Sequence, residues 1–214
     1  MKTIILVDDH PIVRHGLKQI ITQTGEFEVV AEAEEANEAF RLIMELQPDI
    51  ACIDLSLKGM GGIELIKWIR GNGFKNPILV ISMHDEAVYA ERALKAGANG
   101  YVMKQEAPDT VIAAIKAVIN GDVYISASMS QRVLKAIMPG KGGKSGIEKL
   151  SDRELEVFRL FGKGLRVQEI ATELGISAKT VETYQANMKQ KLGLESASEL
   201  SKYAIDVSYQ GFPR

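Results

Sequence analysis

Residues 3–11 read TIILVDDHP, an apolar run that ends abruptly in two aspartates before a histidine and a proline. A run so uniformly apolar is typical of a strand that is covered on both faces. Pro11 suits the first position of a helix, where its missing N–H is no loss. The stretch therefore predicts a strand, a turn that carries Asp8 and Asp9, and then a helix.

The same strand-then-helix pattern occurs five times before residue 120. It predicts an α/β domain, a doubly wound five-stranded parallel sheet with helices on both faces. The second apolar run has charge at both ends, so we expect it at an edge of the sheet. The predicted strands are 3–7, 28–33, 50–53, 78–81 and 101–103. The predicted helices are 12–22, 36–46, 63–70, 87–96 and 111–119.

The composition is that of an ordinary core-forming protein, because 46% of the 214 residues are hydrophobic and 25% are charged. This balance excludes wholesale disorder, collagen-like repeats and disulfide scaffolds. The apolar runs are too short to span a bilayer, so we expect a cytoplasmic protein with no membrane partner. The single cysteine, Cys52, lies in an apolar run and is expected to be a small buried hydrophobe.

The chain divides into an acidic and a basic part. Residues 1–131 hold 12 Lys and Arg against 18 Asp and Glu, whereas residues 132–214 hold 14 against 10. The run PGKGGKSG at residues 139–146 has the composition of a flexible linker. We predict one domain at 1–122 and another at 149–214, joined by a linker at 123–148 that includes a helix at 126–138.

Polar residues follow four predicted strands, at the edge where doubly wound sheets bind ligands. They are Asp8, Asp9, Asp54, Ser82 and Lys104. Three clustered carboxylates raise one another's pKa, and a divalent cation such as Mg²⁺, which prefers oxygen ligands, removes the conflict. With a hydroxyl and an ammonium, the set predicts phosphoryl transfer to an aspartate. Any one of these aspartates alone would be interpreted as a turn residue or a helix cap.

Residues 3–121 resemble the receiver domain of two-component response regulators, a flavodoxin-like fold. The resemblance rests on VDDHP at 7–11, IDL at 53–55, IS at 81–82 and GANGYVMK at 97–104. It implies that Asp54 accepts a phosphoryl group from a sensor histidine kinase. It also implies that Ser82 and Lys104 bind phosphoryl oxygens and that Tyr101 swings inward, although a half-buried strand aromatic is the plainer interpretation of that tyrosine. The implied Mg²⁺ ligands are Asp8, Asp9, Asp54 and the backbone carbonyl of Ser56.

Two residues in the loop that follows Asp54 depart from the family pattern. Lys58 stands where a proline is common, and Gly61 stands where a polar residue is common. These changes add freedom and charge beside the site, so we expect them to affect the rate of phosphorylation more than its chemistry.

Beyond residue 150 the periodicity is purely helical. Ser151 and Glu154 have the spacing of a capping box. A short helix, a three-residue turn at 175–177 and a longer helix predict a helix-turn-helix within an all-α four-helix domain. The predicted helices are 152–161, 167–174, 179–192 and 197–205.

The phase of the third helix leaves a small, hydrogen-bonding face outward, with Lys189 and Lys191 at its borders. Such a face suits the major groove of double-stranded DNA. The expected DNA contacts are Lys179, Thr180, Glu182, Thr183, Ala186, Asn187, Lys189 and Gln190.

Residues 149–206 resemble the LuxR-type DNA-binding domain. The resemblance rests on LSDRE at 150–154, EIA at 169–171, LGIS at 174–177, KTVET at 179–183 and KLG at 191–193, together with Gly164. It implies that the third helix reads the major groove and that the fourth supports a homodimer. Gln185 and Glu195 replace common basic residues, and residues 150–206 hold 8 Lys and Arg against 9 Asp and Glu. We therefore expect one domain to bind weakly and two to bind together on two half-sites.

Two other functions stay open at this stage. An adaptor would receive phosphate but bind protein through its helical domain. A Mg²⁺-dependent aspartyl-phosphate phosphatase would need a second carboxylate two residues after the nucleophile, and Ser56 occupies that position. We expect a phosphorylation-switched transcription factor and no enzymatic turnover.

Overall fold

The computed structural model describes residues 1–131 and 146–210. They fall into two compact units, which divide after residue 137. The predicted helix at 126–138 is helical over 127–131. Residues 132–138 of it, and nearly all of the predicted glycine-rich linker, lie outside the described residues. Among the described helices, none has the length and apolar character that crossing a membrane requires.

The first unit alternates five strands and five helices. The strands are β1 Lys2–Val7, β2 Phe27–Ala33, β3 Ile50–Ile53, β4 Ile78–Ser82 and β5 Gly100–Met103. The helices are α1 Pro11–Gln23, α2 Ala36–Leu46, α3 Gly62–Gly71, α4 Glu86–Ala96 and α5 Pro108–Ile119.

The strands form one parallel sheet in the order β2-β1-β3-β4-β5. Every residue of β3 and β4 is buried, whereas β2 alternates between buried and exposed positions. The predicted α/β class and the edge position of the second strand are confirmed. In this order β1, β3, β4 and β5 are neighbours, so the polar residues that follow them converge at one edge of the sheet.

The segment after α5 returns to the outer edge of β5. The amide of Tyr101 donates to the carbonyl of Tyr124 over 2.7 Å, and the amide of Tyr124 donates to Asn99 over 3.1 Å. The amide of Ser126 donates to the Glu86 carboxylate, at the start of α4, over 2.7 Å. Residues that the sequence analysis places in the linker are thus hydrogen-bonded to β5 and α4.

The second unit is helical. After a 3₁₀ turn at Gly146–Lys149 it contains α6 Asp152–Gly162, α7 Val167–Leu174, α8 Ala178–Leu192 and α9 Ala197–Gln210. The predicted capping box at Ser151 and the N-cap at Ser177 are present. Gly175 ends α7 and Gly193 ends α8 in the left-handed conformation that favours glycine. These stops produce the predicted helix-turn-helix from α7 to α8.

Candidate phosphoacceptor site and nucleic-acid interface

Asp54 follows β3 directly and is only 2% exposed. One of its oxygens, Oδ2, lies 2.7 Å from the Lys104 ammonium, which also lies 2.6 Å from Oδ2 of Asp8. The Lys104 side chain is 4% exposed. A buried ammonium shared by two buried carboxylates offsets much of the cost of removing all three charges from water.

The other oxygen of Asp54 has different partners. Oδ1 accepts a hydrogen bond from the Ser82 hydroxyl over 2.7 Å and one from the Leu55 amide over 2.7 Å. Ser82 is completely buried at the end of β4. The Asp54 carboxylate is therefore held in a fixed orientation.

Asp54 belongs to a cluster of four residues that could ligate a metal ion. Oxygens of Asp8, Asp9 and Asp54 and a ring nitrogen of His10 all lie within 4.8 Å of one another. Burial raises the pKa of Asp9 above its ordinary value, and the charges of Asp54 and Asp8 add to this against the opposing effect of His10. The contribution of the neighbouring carboxylates to the raised pKa shows that they repel one another, and a cation would relieve this repulsion. Carboxylate oxygens are the donor set that Mg²⁺ prefers, so the residues fit the expected metal.

His10 was not expected to join this cluster. Its Nδ1 lies 2.6 Å from Asp9, and its amide donates to Asp8 over 2.9 Å. It occupies the N-cap position of α1 without a side-chain capping hydrogen bond. The sequence gives no signal for this pairing beyond its place directly after the two aspartates.

The loop from Asp54 to α3 returns very close to the backbone of Asp54 and Leu55. A Cβ atom on Gly62 would lie 2.1 Å from the carbonyl oxygen of Asp54 and 2.7 Å from Cα of Leu55. Only glycine fits this approach, and Gly59 supplies a left-handed turn within the loop. The two residues of this loop that depart from the family pattern differ in burial: Lys58 is exposed and Gly61 is buried.

Tyr101 lies inward on β5 and is 1% exposed, so it is not a half-buried strand aromatic. Its hydroxyl donates to the backbone carbonyl of His84 over 2.9 Å. Burial raises the pKa of Tyr101 well above its ordinary value, with a further contribution from Tyr89. The phenol therefore remains a neutral hydrogen-bond donor.

His84 is a residue that sequence reasoning left without a role. It is 5% exposed, and its Nε2 lies 2.9 Å from the Ser56 hydroxyl. The only sequence signal is its place two residues after Ser82.

In the second unit, α8 presents the expected face outward. Its buried side contains Val181 and Met188, which are both fully buried. The predicted contact residues have exposed or intermediate accessibility: Lys179, Glu182, Thr183, Ala186, Asn187 and Gln190 are exposed, and Thr180 and Lys189 are intermediate.

Lys191, at the predicted border of this face, makes an ion pair that the sequence analysis did not predict. Its ammonium lies 2.6 Å from the carboxylate of Glu154, which is 3% exposed at the start of α6. The same carboxylate accepts the Ser151 amide of the capping box. Lys191 thus joins α8 to α6 while its side chain stays 40% exposed.

Together, the parallel sheet, the buried aspartate with its serine and lysine, and the helix-turn-helix define a phosphorylation-responsive regulator. A family model of the response regulator receiver domain matches residues 4–116. A model of bacterial regulatory proteins of the luxR family matches residues 148–204. The chain belongs to the DNA-binding response regulators of two-component systems, with a receiver domain followed by a LuxR-type domain.

Similar proteins span nearly the whole chain. The nitrate/nitrite response regulator protein homolog of Haemophilus influenzae is 33% identical over 193 residues, 90% of this chain and 91% of that protein. Oxygen regulatory protein NreC of Staphylococcus carnosus is 34% identical over 208 residues, 94% of this chain and 96% of that protein. RcsB of Salmonella enterica serovar Typhimurium, solved bound to promoter P1flhDC with the phosphomimetic BeF3−, aligns with a TM-score of 0.65 and 32% identity over 96% of this chain and 99% of that chain.

Proposed function

We propose that Asp54 is the phosphoacceptor of a transcription factor that a sensor histidine kinase switches in the cytoplasm. The observation that carries this proposal is the geometry of Asp54, whose two oxygens contact Lys104 and Ser82 at a buried sheet edge. A carboxylate oxygen attacks the phosphorus of the phosphohistidine, the P–N bond breaks, and the imidazole nitrogen keeps the electron pair.

The neighbouring residues prepare the pocket for the added charge. Asp8, Asp9, Asp54 and the backbone carbonyl of Ser56 would hold Mg²⁺, which supplies positive charge to the phosphoryl oxygens. The Lys104 ammonium contacts Asp54 in this structure. It is in position to contact a phosphoryl oxygen instead once Asp54 carries the phosphoryl group. The Ser82 hydroxyl is likewise in position to bond the phosphoryl group once Asp54 carries it.

The signal leaves the pocket through β5 and α4. Tyr101 and the connecting segment share β5, because the Tyr101 amide donates to Tyr124. The first residue of α4, Glu86, accepts the Ser126 amide. A shift of Ser82 and Tyr101 would therefore reach the residues that lead to the DNA-binding domain, and we propose that it favours a homodimer.

The exposed face of α8 is the proposed reader of the major groove. Thr183, Ala186, Asn187 and Gln190 suit base edges, and Lys179 and Lys189 suit phosphates. The near balance of charges in the domain favours binding by two copies on two half-sites, because phosphate neutralisation supplies much of DNA affinity. In this role the protein turns over no substrate of its own, and the Ser56 hydroxyl gives no second carboxylate for a phosphatase reaction.

Intact mass spectrometry tests the phosphoacceptor directly. The full chain is treated with acetyl phosphate and Mg²⁺, and we expect one added phosphoryl group on the wild type and on Asp109→Asn, which changes an exposed aspartate of α5. Asp54→Asn should add none. Phosphorylation of Asp54→Asn to the wild-type level would refute the assignment.

An electrophoretic mobility shift with DNA selected from a random pool tests whether phosphorylation controls DNA binding. We expect treatment with acetyl phosphate to tighten binding by the wild type and by Asp109→Asn but not by Asp54→Asn. An adaptor would bind no DNA in either state, and a phosphatase would release phosphate from small phosphomonoesters over many turnovers.

A further inference from the structure

Arg14 of α1 has three partners beside the turn that carries Asp8 and Asp9, and the phosphoryl transfer described above gives it no task. Its Nη1 donates to the backbone carbonyl of Asp8 over 2.6 Å. Its Nε donates to the Glu32 carboxylate over 3.2 Å, and its Nη2 donates to the Glu34 carboxylate over 2.6 Å. The guanidinium therefore joins the end of β1 to the end of β2.

The positions of the two carboxylates explain how one guanidinium reaches both. Glu32 and Glu34 are two residues apart at the end of β2, the spacing that places side chains on one face of a strand. The helix α1, which carries Arg14, packs against β2. The Arg14 side chain is 12% exposed, whereas that of Glu34 is 56% exposed. The guanidinium is thus largely removed from water and held by contacts within the domain.

The charges around Arg14 also favour a fixed arrangement. Glu32 lies 2.5 Å from the Lys18 ammonium, one turn further along α1. The hydrogen bond from Lys18 lowers the pKa of Glu32 below its ordinary value, and Arg14 adds to this against the opposing effect of burial. Glu32 is therefore ionised at neutral pH. A guanidinium, whose N–H donors form a rigid fork, can bind a carbonyl and two carboxylates at once, whereas an ammonium is a single point charge.

The carbonyl that Arg14 binds belongs to a residue of the metal cluster. Asp8 is 2% exposed, and its Oδ2 lies 2.6 Å from the Lys104 ammonium. Its amide donates to the carbonyl of Ala33 in β2 over 3.0 Å, and its own carbonyl accepts from Arg14. The main chain is thus held on both sides where the turn towards Asp9 begins.

We propose that Arg14 is a positioning residue for the metal ligands Asp8 and Asp9. Together with Glu32 and Glu34 it forms a clamp on the main chain of the turn, so less order has to be gained when a divalent cation binds. Arg14 acts through the backbone carbonyl of Asp8 and not by contact with the cation. This inference rests on the proposed function, because the clamp matters only if these aspartates hold the cation.

Two substitutions test the clamp from its two sides. Arg14→Lys keeps the charge but loses the fork of donors. Glu32→Gln weakens the clamp from β2. Arg41→Lys is the matched control, because Arg41 forms an exposed ion pair with Glu45 on α2. Urea unfolding by Trp68 fluorescence, without divalent cations, shows whether each variant is folded.

The first measurement is Mn²⁺ binding to the full chain without phosphodonor, followed by the electron paramagnetic resonance signal of the free ion. Mn²⁺ shares the preference of Mg²⁺ for oxygen ligands, and Asp9→Asn measures binding elsewhere on the chain. We expect the dissociation constant to rise about fivefold in Arg14→Lys and about twofold in Glu32→Gln. The double variant should resemble Arg14→Lys, because Glu32 acts through Arg14. Arg41→Lys should match the wild type.

The second measurement separates positioning of the metal ligands from a general loss of structure. The rate of phosphorylation by acetyl phosphate is followed by intact mass while the Mg²⁺ concentration is varied. We expect Arg14→Lys to need about fivefold more Mg²⁺ for its half-maximal rate and to reach the wild-type maximal rate at saturation. A structural defect away from the metal site would instead lower the maximal rate and leave the half-saturating concentration unchanged.

A folded Arg14→Lys with the Mn²⁺ affinity of the wild type would overturn the proposal, as would an equal change in Arg41→Lys. A lower maximal rate at an unchanged half-saturating Mg²⁺ concentration would also overturn it. If Arg14→Lys does not fold, Glu32→Gln decides, because wild-type Mn²⁺ affinity in that variant contradicts the clamp. Absence of Mn²⁺ binding that depends on Asp9 in the wild type is a different result, because it refutes the proposed metal site itself.

Discussion

The pocket around Asp54 and the outward face of α8 use the same kinds of side chain in opposite ways. In the pocket, Lys104 is 4% exposed and contacts two carboxylates, so its charge stabilises the folded state. On α8, Lys179 is exposed, and residues such as Asn187 and Gln190 project from a helix whose stability comes from its other side. The side chains of the pocket are held by contacts with one another, whereas the outward side chains of α8 are exposed to solvent.

This difference predicts where substitutions act. Buried charged groups lose stability when a partner is removed, because the remaining charge cannot return to water. Exposed charged groups contribute little to folding, and their removal changes only what binds. The comparison is therefore tested by measuring stability and binding separately for variants of each region.

The largest effect is expected for Lys104→Met. Without the ammonium, Asp8 and Asp54 lie together with no cation between them, so we expect a loss of about 3–5 kcal/mol in the free energy of unfolding. Mg²⁺ should restore part of this loss, since it neutralises the same carboxylates. Urea unfolding followed by Trp68 fluorescence, with and without MgCl2, measures both effects.

The exposed pair of Lys95 with Glu91 on α4 offers a matched control for Lys104. Lys95→Ala should change stability by less than about 0.5 kcal/mol and should show no dependence on Mg²⁺. Equal losses in the two variants would remove the contrast between buried and exposed lysines.

Gly62→Ala tests the close approach of α3 to the acceptor loop. The new Cβ would meet backbone atoms of Asp54, which cannot rotate away, so we expect a loss of about 1–3 kcal/mol and slower phosphorylation. Gly71→Ala at the other end of α3 meets nothing within 4 Å and should be neutral or stabilise by about 0.5 kcal/mol. The same urea and mass measurements compare the two, and a neutral Gly62→Ala would contradict the geometry.

The strand ends could be predicted from the sequence because apolar runs stop abruptly where a parallel sheet ends. Asp8, Asp54, Ser82 and Lys104 meet for that topological reason, and the structure brings them together as expected. The contact between Ser56 and His84 could not be predicted, because it joins two loops whose paths no periodicity determines.

In the second domain, the length of the side chains limited which contacts could be predicted from the sequence. The helical phase correctly gave the buried side of α8, with Val181 and Met188 inside. It could not predict the ion pair of Lys191 with Glu154, because phase fixes only the direction of the Cβ atom, while a long aliphatic stem sets where the ammonium lies. The backbone hydrogen bonds of Tyr124 with β5, in the first unit, could not be predicted for a different reason, since a single bridge leaves no alternating pattern.

Lys191→Ala should show a small effect on stability. The pKa of Glu154 is held below its ordinary value, because burial, which raises it, is outweighed by the hydrogen bonds from Lys191 and Ser151. A lowered pKa stabilises the fold above the unfolded value of about 4.3 and loses this effect as the pH falls through the folded value. Since Lys191 is 40% exposed, we expect a loss of about 1 kcal/mol at pH 7 that shrinks and then vanishes as the pH falls through the lowered pKa of Glu154.

Amide hydrogen exchange of α6 and α8 at pH 7, and urea titrations of circular dichroism across the acid range, measure this loss. Lys163→Ala, at the exposed residue directly after α6, is the control and should leave exchange unchanged. A loss that stays constant down to pH 3 would show that Lys191 acts through its stem and not through its charge.

Lys189→Ala is expected to have the smallest effect on folding and to act only on binding. Among the described residues, the Lys189 side chain makes no hydrogen bond or ion pair. The free energy of unfolding should therefore change by less than about 0.5 kcal/mol. If its ammonium meets a DNA phosphate, the slope of log affinity against log salt should fall by about one, with sequence preference kept. Lys202→Ala, on the exposed side of α9, should leave the slope unchanged. An unchanged slope in Lys189→Ala would place the phosphate contact elsewhere on the domain, whereas a loss of stability would make this lysine resemble Lys104 and erase the difference between the two regions.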